Sequence, residues 1–556
     1  MPTIKSYNKR KEALKAERST FMPLWIELSD YHLAHRGRFL TSDRNKGHKR
    51  NTKQINNSSR LAVRSLNSGM MANISSPARP WFRVGSGDKS LDDISSVKKW
   101  NHAVQVIMYK IFAASNFYNS LQQVYSELGV FGTGCMGIYK DFENVIHCQP
   151  YTIGSYMLGM DGQNLNDTMY REYELSVAQT VKQFGIDNVS LSVKKQWETG
   201  NTEAWVKITH LIEPNDDRDG NSLLAKDKPY RSVYYEQAQT SGQDKFLRES
   251  GMDDYPIVAP RWGITGEDVY ATDCPGIDVI GDTKALQLAE RRKYQAFDKV
   301  TSPPLQGPST MRSLAKSAGI DVENILWYDG PGDGKISSIY GNYRPDIGEI
   351  RQEVADNTHR IQRGFYEDLF LMLANSDRRQ VTAREVAEKH EEKLLMLGPV
   401  LERLHTELLD PVIDRTFNIG QSEGIFPPPP PELQGRNISI EYVSVLAQAQ
   451  RLVNTGAIDR LVAFTGEAAQ VWPEARHKIN VFQTIDDYAD ALGVAPSTVR
   501  SDAEASEAMA AEAQQQQQMA MLQAGEQMAN TAKTVSEVDM TEGGPMDQIA
   551  QGAGLA

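Results

Sequence analysis

The sequence predicts an α+β protein whose second half turns to long helices. Three observations carry this expectation. Amphipathic helical runs and short β-patterned runs are mixed through the first half, the signature of helices gathered on antiparallel strands. No apolar stretch in the 556 residues reaches the ~18 needed to span a bilayer. Leucines recur at helical spacing late in the chain, beyond two segments that read as long helices.

Taken in order, Ile4 to about His35 reads as a helix, followed by a basic, glycine-containing loop. A second helix runs from about Ser58 to Ile74, and Pro77 and Pro80 then break it and lead into a strand. Ser96 to Ala114 and Ser120 to Leu128 are further helices, and strands are expected at Met136–Lys140, Val145–Gln149 and Met169–Glu174. Ser176 with Gln179 makes a capping box opening a helix that Gly185 closes. Strand-like runs follow at Trp205–Ile212, Tyr230–Glu236 and Tyr255–Trp262.

Asp282 reads as the N-cap of a helix reaching about Lys299, which Pro303 and Pro304 stop. The insert Leu305–Pro345 is rich in glycine and proline. A second long helix, from Asp346 to about Leu373, would span about 42 Å. The chain turns through Asn375, Ser376, Asp377, Arg378, Arg379 and Gln380, and Thr382 with Glu385 caps the return helix. Along that helix Ala387, His390, Leu394, Leu397, Leu401, Leu404 and Leu408 form a packed seam, with a kink expected at Gly398–Pro399. Pro427–Pro431 make a stiff spacer, Ile438–Val445 a strand, and the region to about Gly493 is helical. The Ala-, Met- and Gln-rich stretch after Ser501 favours helix up to Gly543, fraying into disorder.

Charge and composition narrow the function. The net charge is −12, and from Ser501 onward nine acidic residues face one basic residue, so the tail carries most of it. A mean hydropathy of −0.49 and 24% charged residues indicate a soluble protein with no membrane partner. The three cysteines, Cys135, Cys148 and Cys274, suggest a reducing compartment, and the N-terminal segment lacks the apolar core of a secretory signal. Global acidity argues against wrapping nucleic acid tightly, since that requires neutralising phosphates, but it suits a duplex sliding past a few cations. Two such groups stand out: the Arg378–Arg379 pair, and a loop with Arg36, Arg38, Arg44, Lys46, Lys49, Arg50 and Lys53 against the single acid Asp43.

Motifs for catalysis fail on context. Gly132, Gly134 and Gly137 have dinucleotide-fingerprint spacing, but a helix precedes them and a strand follows, the reverse of what that site needs. Gly330, Gly332, Gly334 and Lys335 lack P-loop spacing, and Ile336 stands where a magnesium-binding hydroxyl belongs. His32 and His35 lie one helical turn apart without a third ligand, and His147 and Cys148 in a strand point to opposite faces. No catalytic residue, metal site or cofactor is expected. A helix out, a small module, a helix back, a polar loop and a kinked helix instead suit a ring subunit whose loop faces an axial channel.

With these segments placed, the chain resembles the portal proteins, or head-to-tail connectors, of short-tailed bacteriophages. The blocks that carry the resemblance are SLNSGMMANISSPARPWFRV (Ser65–Val84), GVFGTGCMGIY (Gly129–Tyr139), the strand with Pro256, Arg261 and Trp262, QVTAREVAEKHEEKL (Gln380–Leu394), LGPVLERLHTELLDPVIDR (Leu397–Arg415) and IEYVSVLAQAQR (Ile440–Arg451). Where many relatives have a glycine-rich turn, this chain has Tyr270-Ala-Thr-Asp-Cys-Pro-Gly.

The resemblance implies a homo-oligomeric ring, usually of twelve subunits, assembled in the bacterial host cytoplasm and placed at the capsid–tail vertex of the virion. Double-stranded DNA passes through it without sequence specificity. Its implied partners are the terminase packaging motor, capsid and scaffolding proteins, and tail adaptor proteins. By the same resemblance, residues 1–281 are an α/β wing, 282–301 and 346–373 the stem helices, and 302–345 the clip. Residues 374–381 are a tunnel loop, 382–450 the kinked helix and return to the wing, 451–532 a helical crown, and 533–556 a disordered acidic tail. Asn375 to Gln380 would face DNA. The alternative is another non-enzymatic tail ring, an adaptor or nozzle; the helix–insert–helix order favours the portal. A nuclease or motor subunit is disfavoured by the missing P-loop and carboxylate–metal cluster.

Overall fold

Five antiparallel strands form the largest sheet in the computed structural model, which describes residues 3–34, 39, 53–85, 88, 91, 94–222, 224–237, 245–319, 321–330, 334–340, 346–370, 398–433, 439–442, 458–469, 472, 474, 478–492, 498–500 and 502–536. Contacts divide the chain into two units: Met1–Gly87 with Ala103–Pro429 and Gly435–Gln450, and Asp88–His102 with Pro430–Gln434 and Arg451–Ala556. The mixture of helix and sheet agrees with the α+β expectation.

The first unit opens with α1 (Ile4–His32), started by Thr3, and α2 (Ser58–Asn73). Strand β1 (Phe82–Gly85) precedes α3 (Ser95–Ala114), whose first residues belong to the second unit. Helix α4 (Phe117–Phe131) ends on Gly132, whose φ of 78° lies in the left-handed region where glycine is favoured. That turn feeds β2 (Met136–Asp141), so the glycine-rich stretch is the helix-to-strand turn expected of it. Strands β3 (Val145–Pro150), β4 (Tyr156–Met160) and β5 (Asn166–Ser176) follow. Ser176 and Gln179 make both hydrogen bonds of the capping box that opens α5 (Val177–Phe184), and Gly185 closes it. Next come α6 (Leu191–Glu198), β6 (Trp205–Pro214), β7 (Tyr230–Glu236), β8 (Arg248–Met252) and β9 (Ile257–Val258). The five-stranded sheet runs β4-β5-β6-β7-β8, and β3-β2-β9 form a second antiparallel sheet.

Strand β9 is much shorter than the expected Tyr255–Trp262, with one isolated bridge beyond it between Arg261 and Thr133. Pro256 and Pro260 explain the loss, because each lacks the N–H a ladder requires.

Helix α1 covers one face of the large sheet. Ile4, Tyr7, Met157, Tyr170, Leu211, Val233 and Tyr235 form its core, each buried side chain contributing about 1.5–3 kcal/mol. Ion pairs frame that core, Arg10 to Glu213 at 3.1 Å and Lys11 to Glu172 at 3.1 Å. A second cluster under α5 and α6 joins Val177, Phe184, Val189, Val193, Val206, Ile208 and Leu247.

The first long helix differs from expectation at its start. A single turn, α7 (Pro275–Asp278), runs directly into α8 (Ile280–Thr301), so Asp282 lies inside the helix and does not cap it. Its carboxylate instead faces Arg360 at 3.7 Å. The insert holds a three-stranded sheet: β10 (Leu305–Pro308), then α9 (Arg312–Ser317), β11 (Ile325–Tyr328) parallel to β10, and β12 (Ser337–Ser338) antiparallel to it. Asp346 caps α10 (Ile347–Gly364), which starts where expected, and accepts from the amides of Gly348 at 2.7 Å and Glu349 at 3.2 Å. That helix ends earlier than Leu373: Tyr366 takes a left-handed φ of 57°, and a new helical turn spans residues 367–370.

Description resumes with α11 (Gly398–Leu404), a π-helical turn at His405–Leu409 and α12 (Asp410–Ser422). Pro411, just after this turn, lacks the N–H that would bond back to it. The expected kink at Gly398–Pro399 lies at the edge of the described residues. Strand β13 (Ser439–Tyr442) pairs antiparallel with β1.

In the second unit, α13 (Val481–Leu492) and α14 (Asp502–Ser536) are helical, and Lys99 pairs with Glu504 at 3.6 Å. Helix α14 carries the Gln514–Gln518 run, and its residues with described side chains are almost all exposed.

Candidate functional site

Helices α8 and α10 pack against one another as a hairpin whose base is held firmly and whose far half is bare. At the base, α8 buries Thr283, Leu286, Gln287, Ala289 and Glu290. Gln287 Oε1 accepts from the backbone amides of Ile55 at 2.6 Å and Asn56 at 2.8 Å, and its Nε2 donates to the Asn56 carbonyl at 2.8 Å. Asn56 Nδ2 donates to Glu290 Oε1 at 3.0 Å. One amide side chain thus satisfies three backbone groups at the end of the basic loop.

The end of α10 is pinned by close approach. A methyl group at Gly364 would overlap Val279 Cγ1, and one at Gly69 of α2 would overlap the Phe370 ring. Tyr366 stacks on Trp262 with ring centroids 6.2 Å apart. Beneath them His32 is fully buried, edge-on to Phe365 at 5.4 Å. Its Nε2 lies 3.1 Å from the Gly276 carbonyl, which only accepts, so Nε2 carries the proton and Nδ1 accepts from the Ser59 hydroxyl. Burial lowers its pKa from 6.5 to about 4, and the Gly276 carbonyl opposes this only in part. Both ring nitrogens are occupied by the fold.

The π-helical turn positions a second anchor. It points Glu407 at Arg261, whose guanidinium meets the carboxylate at 2.7 Å (Nη2 to Oε1) and 3.2 Å (Nε to Oε2), while the Arg261 amide donates to Oε2 at 2.9 Å. Arg261 also donates to the carbonyls of Asn164 at 2.8 Å and Asp268 at 2.9 Å. The pair's side chains are 3% and 9% exposed, and the extra acceptors offset the cost of burying the charges. Farther along, Arg415 donates to the carbonyls of Ile138 at 2.8 Å and Asp254 at 2.9 Å. These contacts tie the late helices to the early strands.

Cys135, Cys148 and Cys274 are buried, and burial pushes the Cys148 and Cys274 thiols up to about 12, so neither supplies a thiolate near neutrality. His147 is exposed while Cys148 is buried, on opposite faces of β3. No group of acidic, histidine or cysteine residues among the described residues could hold a metal ion, and none of their helices is long and apolar enough to cross a membrane.

Residues 4–499 match the family of bacteriophage head to tail connecting proteins. The chain belongs to this family. It is 42% identical over 544 residues to the portal protein of Salmonella phage epsilon15, covering 97% of each chain. It is 39% identical over 541 residues to the probable portal protein of Bordetella phage BPP-1, covering 97% of this chain and 96% of that one. A subunit from the neck of an empty GTA particle aligns over 77% of this chain and 91% of its own, at 10% identity and a TM-score of 0.37, a likeness too loose to add weight.

For this connector-family chain, the six expected channel residues Asn375 to Gln380 and the cap at Thr382 and Glu385 lie outside the described residues. So do Arg36, Arg38, Arg44, Lys46, Lys49 and Arg50 of the basic loop. Lys53 is described, and its Nζ bonds Asp30 Oδ2 at 2.8 Å, which raises its pKa. The sequence reading missed the Arg261–Glu407 clasp; its only trace was Arg261 within one resembling block and Glu407 within another, 146 positions apart.

Proposed function

We propose that this chain is the subunit of a portal ring at the single capsid vertex through which double-stranded DNA is packaged and later ejected. The observation that carries the reading is near full-length likeness to two phage proteins described as portal or probable portal proteins. Residues 282–301 and 346–373 form the stem, 302–345 the clip, 1–281 with 382–450 the wing, 451–532 the crown, and 374–381 the loop that meets DNA. The far half of α8 supports assembly: Tyr294 is 60% and Phe297 57% exposed, apolar rings that a neighbouring copy would cover. Twelve copies closing head-to-tail make a heterologous ring with a central opening.

The ring is a conduit and a docking platform. It attaches the terminase motor during packaging and the tail adaptor proteins afterward, it sits in the capsid built around scaffolding protein, and chemical work is left to the motor. Contact with DNA is weak and sequence-independent, since a firm backbone grip would stall movement. Native mass spectrometry and axial negative-stain images test this: a closed ring of about twelve copies is expected, and a folded chain that stays monomeric at micromolar concentration overturns it.

A further inference from the structure

The outer sides of the α8–α10 hairpin carry opposite charge. On α8, Leu286 and Ala289 are buried, and Leu288, Arg291, Arg292, Gln295 and Lys299 follow at three- and four-residue steps on the opposite side, all exposed. Asp298 is the one acid adjoining this strip. On α10, Ile361 is buried with Ile350 and Val354 half-buried, and Glu349, Gln352, Glu353, Asp356 and Arg360, together with the buried Asn357, line a shallow groove of about 420 Å³ along its flank. Arg360 already faces Asp282 of α8 at 3.7 Å. Among the described residues, Glu349, Glu353 and Asp356 make no ion pair, and neither do Arg291 and Arg292.

We infer that the acidic groove of α10 receives the basic strip of α8 from the next copy of the same chain. The inference rests on the ring proposed above and names the surfaces that close it. Two unlike, complementary faces on one hairpin are what a head-to-tail contact requires; a two-fold contact would instead need one face that complements itself. Leu288, 47% exposed, sits within the basic strip and supplies apolar contact to a pairing whose charges set partner choice and register. The competing use of the basic strip, contact with DNA phosphates inside the channel, makes a different prediction for assembly.

Charge reversal tests this. Arg291→Glu with Arg292→Glu leaves both faces acidic, and Glu353→Lys with Asp356→Lys leaves both basic. Each variant, folded as judged by circular dichroism, is expected to lose at least about tenfold of its ring population at low salt. Mixing the two variants, one carrying a mass tag, is expected to restore rings with both chains in equal number by native mass spectrometry. All four changes in one chain restore rings without mixing. The unchanged chain is the control: if it forms no ring, the portal reading itself fails and this inference with it. If it forms rings and both variants do so equally well, only the inference is overturned. Normal assembly of the Arg291→Glu, Arg292→Glu chain with impaired DNA retention would assign the strip to the channel and overturn it too.

Discussion

Tyr170 and Tyr294 are the same residue in opposite circumstances. Tyr170, under α1, has no exposed surface and donates its hydroxyl to Glu213 at 2.7 Å; Tyr294, on the far half of α8, is 60% exposed. The large sheet completes its own core from one chain, with ion pairs at the rim and apolar side chains within. The hairpin is held at its base by α1, α2 and the segment around Asn56, while on its far half Tyr294, Phe297, Arg291 and Arg292 stay exposed. A region that satisfies itself folds without help, and the exposed far half of the hairpin is what the proposed assembly would cover.

The sharpest break in that comparison is a truncation on each side. Trp25 of α1 is 1% exposed, with ring centroids 5.6 Å from Phe21 and 5.1 Å from Tyr270. Trp25→Ala is expected to cost about 5 kcal/mol in urea unfolding, because a cavity of that size does not collapse. Phe297→Ala is expected to move subunit stability by no more than about 0.5 kcal/mol, yet to lower the ring fraction by native mass spectrometry. Equal unfolding losses from the two would erase the distinction.

The clasp between late helix and early strands is the next largest effect. Glu407→Ala leaves the Arg261 guanidinium buried without its carboxylate and is expected to cost about 3–4 kcal/mol by urea titration. Arg261→Met with Glu407→Leu removes both charges and is expected to recover most of that loss. If the double variant is as unstable as the single, the clasp acts through geometry that apolar side chains cannot replace.

Local chemistry was the legible part of this molecule. The box at Ser176 and Gln179, the stop at Pro303–Pro304 and the turn at Gly132 each depend on a few neighbouring residues, and all lie where the sequence placed them. Contacts distant in sequence were not legible. Asp282 looked like a cap because its partner Arg360 is 78 positions away. The break after Gly364 was hidden because Phe365, Leu369 and Phe370 keep a helical apolar pattern, and the left-handed φ of Tyr366 leaves no mark in that pattern. Strands β4 and β8 were not read from the sequence. As for the candidate site, α10 was read correctly in kind, the return helix from Thr382 lies outside the described residues up to position 397, and the anchors at the hairpin base were not read.

His32 sharpens the comparison by pH, since it ties α1 and α2 to the base of the hairpin. Its folded pKa of about 4 lies below the free value of 6.5, so as pH falls the unfolded chain takes up the proton first. The stability held by the neutral ring is complete above pH 6.5 and is lost progressively down to about pH 4, some 3 kcal/mol in all. His32→Gln is expected to flatten the fall in unfolding free energy across that window. His210, also buried with a strongly lowered pKa, contributes a slope of its own that the variant leaves in place. An unchanged slope would mean that His32 does not stay neutral in the fold.

The smallest effect on folding is expected where the consequence for function is greatest. The contact of Gly69 with Phe370 is the last described one before Asn375–Gln380, the proposed DNA-facing loop, and it uses none of that loop's side chains. Arg378→Ala with Arg379→Ala is therefore expected to shift stability by no more than about 0.5 kcal/mol and to leave ring assembly intact. A loop this short can offer two guanidinium groups to phosphate oxygens but cannot enter a groove far enough to read bases. Packaging or genome retention is then expected to fall, with a dependence on salt and none on DNA sequence. Asp377→Ala is expected to act the other way, slowing translocation by removing the charge that opposes the two arginines. The measurement is packaging of unrelated DNA sequences into heads carrying each variant ring. Wild-type packaging by the double-alanine ring would make the loop a surface turn, and a sequence-dependent defect would mean that it reads bases after all.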